Sequence, residues 1–152
     1  MRFALAAASL VAAMFAAAPA DATEVRPCDY AADVRSIAEP WEKNTRSFYD
    51  GALRVALLDT GGEPVCCSQH LLVLMPDRGG PPGMDEGRLC RIVGDREALG
   101  FLGIEFQQMR ASYDRRGLVL TFPVHIYGDG IRNRRAVARV RIDVGRGTVT
   151  AE

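Results

Sequence analysis

The chain has 152 residues, of which 48% are hydrophobic and 25% charged, with 19 Lys and Arg against 19 Asp and Glu. That balance is one of a single ordinary globular domain. With 15 Gly and 8 Pro, it excludes collagen-like and disordered chains. The zero formal sum hides a gradient: residues 21–109 carry 9 basic and 15 acidic side chains, a formal −6, whereas residues 110–152 carry 9 and 4, a formal +5. The two parts would therefore attract different partners.

At the N-terminus, Arg2 precedes an apolar run from Phe3 to Ala18. Ala18-Pro19-Ala20 and Ala20-Asp21-Ala22 are small-x-small sites. This is the pattern of a cleavable export signal over residues 1–20, or 1–22, and the run is shorter than a stable membrane anchor. Residues 23–152 are expected to form one globular domain, periplasmic or secreted, with no membrane span once the signal is removed.

Asp29 is placed to cap a short N-terminal helix through Ala31, Ala32, Val34, Ile37 and Ala38, stopped by Pro40. The periodicity then changes to alternation. Phe48-Tyr49 and Leu53–Leu58 flank Asp50-Gly51, a pair suited to a tight two-residue hairpin. Asp59–Pro64 reads as a loop. The run His70–Met75 reads as a strand covered on both faces. Residues 76–87, with four Gly and three Pro, read as an exposed, mobile loop. Arg88–Val93 is the next strand, and residues 95–109 read as a short turn followed by a strand from about Ile104. The turn at Asp114–Gly117 leads into Leu118, Leu120, Phe122, Val124 and Ile126 at strict period two. A Gly-Asp-Gly loop over Tyr127–Arg134 precedes a matching alternation of Ala136, Ala138, Val140, Ile142 and Val144, then a last short strand, Thr148–Ala151. The expected fold is mainly β: an antiparallel meander of about eight strands, a small barrel or two-layer sandwich, with a short N-terminal helix.

The segments VALLDTGGEPVCCSQHLLVL (55–74), CRIV (90–93) and ASYDRRGLVLTFPVHIY (111–127) resemble small exported bacterial proteins of uncharacterised function. The resemblance implies a periplasmic location and carries no activity or catalytic residue.

All four cysteines (Cys28, Cys66, Cys67, Cys90) follow the expected cleavage site, so they read as two disulfides. A bridge between adjacent Cys66 and Cys67 closes a strained eight-membered ring, which leaves Cys28 and Cys90 each taking one of the pair in either of two ways; Cys28–Cys66 with Cys67–Cys90 is the expected pairing. The alternative is a thiol-redox or soft-metal site built from Cys66, Cys67 and His70, although no C-x-x-C spacing supports it. No catalytic or phosphate-binding motif is present. Ser68 lies two residues before His70 but without a G-x-S-x-G motif, neither His70 nor His125 has a located base or nucleophile partner, and no cofactor is expected. Arg132, Arg134 and Arg135 precede a strand in which Arg139 and Arg141 alternate with Ala138, Val140 and Ile142, so Arg135, Arg139 and Arg141 share the face opposite the core. That face is a candidate for an anionic partner, through the forked hydrogen bonds of guanidinium groups. Nucleic acid is disfavoured by the envelope location and the acidic first part. The reading is a non-catalytic exported β-domain, inhibitor-like or accessory, that binds an envelope protein or an anionic envelope component.

Overall fold

The computed structural model describes residues 23–62, 66–78, 87–127 and 133–152. The expected export signal, most of the Pro/Gly stretch and Arg132 lie outside these residues.

Among the described residues, ten strands form two antiparallel sheets. The first sheet contains β1 (Thr23–Pro27), β2 (Thr45–Phe48), β3 (Leu53–Asp59), β4 (Gln69–Pro76) and β5 (Arg88–Asp95), in the order β1-β5-β4-β3-β2. The second runs β10-β9-β8-β6, with β7 also on β8. Its strands are β6 (Gly103–Ile104), β7 (Arg110–Asp114), β8 (Gly117–Tyr127), β9 (Asn133–Asp143) and β10 (Thr148–Ala151). The expectation of a mainly β, antiparallel fold therefore holds, and of its two forms the structure has the open two-layer sandwich. β2 to β5 are a meander, but β1 returns beside β5, a pairing that adjacent-strand reasoning does not supply.

The alternating residues meet where period two puts them. Leu53, Val55, Leu57, Leu71, Val73, Met75 and Val93 from the first sheet face Leu118, Leu120, Phe122, Val124, Ile126, Ala138, Val140 and Ile142 from the second. Phe101, Ile104, Phe106 and Met109 fill the core between them. β4 is covered on both faces, as its apolar run suggests. On the outer side of the first sheet, Ala56, Leu58 and Leu72 pack beneath Cys28, Ala32 and Ile37.

The expected N-terminal helix is replaced by two 3-10 turns, Tyr30–Ala32 and Val34–Ser36. Asp29 does cap, accepting from the Ala31 N–H at 2.9 Å. Asp33 ends the first turn, because its extended backbone and the bonds from the Arg35 N–H and guanidinium to its carboxylate restart the chain. A one-turn α-helix, α1 (Trp41–Asn44), follows Pro40. The β2–β3 hairpin also differs from expectation. Phe48 pairs with Leu53, so its loop has four residues, with Tyr49, Asp50 and Gly51 all at positive φ. The strand expected from Ile104 is only the two-residue β6, which gives way to a 3-10 turn, Phe106–Gln108.

Candidate functional site

The cysteine pairing is a correction. Cys28 is bonded to Cys90, with Cα atoms 5.5 Å apart, and Cys66 is bonded to Cys67. The first follows from β1. Its register sets Pro27 opposite Arg91, so the next residue, Cys28, arrives beside Cys90 and pins the 3-10 segment to the outer face of the first sheet. The adjacent pair follows from backbone conformation. Cys67 has φ 76°, outside the extended region in which neighbouring side chains point to opposite sides.

This removes the thiolates from the soft-metal candidate. Among the described residues there is no group of three or more His, Cys, Asp or Glu that could hold a metal. His70 is buried at the top of β4, opposite Leu58, and its Nδ1 has no hydrogen-bond partner among the described residues. Gly100 is packed against it so closely that a Cβ there would collide with the Cys67 carbonyl and meet the His70 ring. Burial holds the His70 imidazole below its ordinary pKa, assisted by the nearby Arg26 guanidinium. Asp29, Asp59 and the Leu99 backbone pull the other way.

Arg135, Arg139 and Arg141 do lie together on the outer face of β9, yet none is free. Arg135 makes a two-bond fork with Glu105, at 2.8 and 3.0 Å, and also donates to Gln108 at 3.2 Å. Arg139 donates to Glu152 at 3.0 Å. Arg141 is bonded to both Glu152 and Asp114, and its side chain is 9% exposed against 58% for Arg135 and 48% for Arg139. Hydrogen bonds from Arg135 lower the Glu105 pKa, and those from Arg141 and Arg139 lower that of Glu152. An incoming anion would have to displace a carboxylate already in place. The second histidine belongs to the same network: His125 Nε2 lies 3.1 Å from Glu105 and its Nδ1 lies 3.0 Å from Asn133 Oδ1. The three carboxylates that neutralise the face come from a 3-10 cap, a hairpin turn and the C-terminal residue, positions that periodicity along β9 cannot reveal.

Arginines without a carboxylate partner among the described residues lie elsewhere. On the outer face of the first sheet, a groove of about 490 Å³ runs beside the pinned 3-10 segment. Its floor is Ile37, Ala56, Leu72 and Leu74, and Arg54 stands at its rim; Arg46 also lines it, but it stands opposite Val55 and lays its guanidinium over the Phe106 ring on the inner side of the sheet. Arg46 donates to the Met109 and Gln107 carbonyls, Arg54 to that of Gly51, and the neighbouring Arg88 to that of Ala52. Bonds to carbonyls orient these groups without cancelling their charge. The alternation of Arg54 with Leu53 and Val55 marks it as outward-facing, but nothing in sequence places it beside Ile37.

No family model, curated protein or solved structure matches this chain. Among the described residues no helix is long and apolar enough to cross a membrane.

Proposed function

We propose that the chain is an exported, non-catalytic β-domain, an inhibitor-like or accessory module, and that it binds an envelope protein through the groove on its first sheet. The observation that carries this reading is the combination of an apolar floor with arginines that have no carboxylate partner among the described residues. Apolar surface supplies affinity that is not directional, and Arg54, with the neighbouring Arg88, can fork to a carboxylate. The groove suits a partner segment in which apolar side chains adjoin Asp or Glu. The two disulfides suit an oxidising compartment, and the N-terminal pattern supports export.

A photoreactive residue at Ser47, on the groove side, tests the site against one at Arg139 on the second sheet. We expect the Ser47 position to crosslink one partner in the native envelope and Leu74→Asp to abolish the adduct. Crosslinking from Arg139 alone would return binding to the β9 face.

A thiol-redox role for Cys66 and Cys67 is the second reading. It is supported by the direct bond between neighbouring sulfurs and by the buried Nδ1 of His70, three residues on, which has no hydrogen-bond partner among the described residues. Alkylation of protein quenched in the cell distinguishes it, because a redox site would show a reduced fraction at these two positions and a purely structural bridge none.

A further inference from the structure

The geometry points to a second copy of this chain as the partner of strand β7, joined edge to edge in an antiparallel two-fold pairing centred on Ser112. Among the described residues β7 pairs only with β8, and all five of its residues are exposed. The edges formed by β1, β10 and β2 are screened. β1 lies beside β10 across the sandwich, and β2 faces the Phe106–Gln108 turn, which Arg46 ties down.

The β7–β8 hairpin fixes which backbone groups point outward. Asp114 pairs with Gly117 across a two-residue loop, so this closing pair exchanges both of its hydrogen bonds, and bonding alternates from there. Arg110, Ser112 and Asp114 therefore spend their N–H and C=O groups on β8. Those of Ala111 and Tyr113 face the open edge.

A second β7 laid antiparallel about Ser112 meets these groups in register. Ala111 of each chain stands opposite Tyr113 of the other, and each such pair exchanges two hydrogen bonds, four in all across the seam. Arg110 stands opposite the copy's Asp114, and Asp114 opposite the copy's Arg110, so that each half-exposed Asp114 carboxylate is shared between its own Arg141 and the incoming guanidinium. Opposite charges directly across a strand pair are stabilising and like charges are not. A parallel pairing in register would set Arg110 against Arg110 and Asp114 against Asp114. Shifting the centre by one residue loses both charge pairs. The pattern Arg-Ala-Ser-Tyr-Asp thus sets opposite charges against those of its own copy only in this arrangement. Arg110 has no carboxylate partner within the described residues of its own chain, and the exposed Tyr113 ring, set edge-on to Tyr49, covers the copy's Ala111. An edge of five residues is small beside the roughly 800 Å² per partner of a standard stable interface, so the dimer is weak and concentration-dependent. An open edge whose charges complement their own reverse is also specific in a way that an apolar edge is not.

Sedimentation equilibrium on the oxidised protein as exported, together with four variants, tests this. Wild type should pass from monomer to dimer as concentration rises, and added salt should weaken the association. Ala111→Pro should stay monomeric with an unchanged melt, because that N–H is not used within the chain and proline is tolerated at such an edge position. Ser112→Cys should link to its copy at least about tenfold faster than Arg115→Cys at the hairpin tip, since cross-strand Cβ atoms in such a pair are about 4.5–5.5 Å apart, and non-reducing peptide mapping identifies the bond. If Ala111→Pro fails to fold, Arg110→Asp replaces it. It sets carboxylates opposite each other and should weaken the dimer at least tenfold. A wild type that stays monomeric while Ser112→Cys links no faster than the control overturns the proposal. So does a dimer that survives both edge variants, or crosslinking of Ser112→Cys to a different protein in its place.

Discussion

Arg141 on β9 and Asp114 at the end of β7 are joined through a single guanidinium nitrogen, which lies 2.7 Å from one carboxylate oxygen and 2.9 Å from the other. This bond ties the edge hairpin to the middle of the second sheet, and Glu152 closes the arrangement from the C-terminus. Period-two reasoning treats Arg135, Arg139 and Arg141 as equivalent outward-facing groups. Packing makes Arg141 different. Arg141→Gln should lower the melting temperature by several degrees, because it leaves two carboxylates without their shared donor. Arg139→Gln, at a half-exposed position, should change it little. Thermal denaturation of the two variants side by side makes the comparison.

Opening the Cys28–Cys90 bridge with Cys90→Ser should cost about 2–4 kcal/mol in urea unfolding, since the bond closes a long loop of the unfolded chain; its cysteines are 62 residues apart. Replacing both Cys66 and Cys67 by Ser should cost much less, because a bond between neighbours closes no comparable loop. Peptide mapping without reduction should recover Cys28 with Cys90 and never Cys28 with Cys66.

Stability should fall as pH is lowered from 7 through the ordinary histidine pKa of 6.5. His70 is held below that value by burial and by Arg26, so the unfolded chain binds the proton more readily. The native state keeps its advantage above pH 6.5 and loses it progressively on acidification toward the lower folded pKa. His70→Phe should flatten the melting temperature between pH 7 and 5. A wild-type profile already flat over that interval would mean that the ring is not held neutral.

Gly100→Ala should destabilise by about 1–3 kcal/mol through overpacking, since the added methyl meets the Cys67 backbone and the His70 ring. Gly62→Ala is the matched control, because only the Thr60 side chain lies near, at ordinary contact distance. Chemical denaturation of the pair measures the difference.

Export itself is checked by intact mass, with an expected N-terminus at Asp21 or Thr23. Either cut leaves β1 whole, with Thr23 paired to Asp95. A product that still begins at Met1 and resists alkaline extraction from membranes would contradict the expected cleavage.

What the sequence determined by itself is what depends on neighbours along the chain. Alternation in Leu118–Ile126 and Ala136–Val144 settled the strands, their faces and the antiparallel hairpin between them, because a strand's side chains alternate whatever it packs against. The same rule put Arg135, Arg139 and Arg141 on one face. It was silent on what comes to meet them, since Glu105, Asp114 and Glu152 arrive from separate elements. The cysteines divide in the same way. Their count and compartment implied two bridges, but the pairing was decided by β1 folding back onto β5, a contact between residues more than sixty positions apart. The N-terminal helix was lost where Asp33 offered its carboxylate to a nearby backbone N–H and so competed with the helical bond. Only the tertiary structure decided which arginines retain an uncancelled charge, because the energy of a charge is set by distance in space, and the chain reaches those distances through contacts that no local pattern encodes.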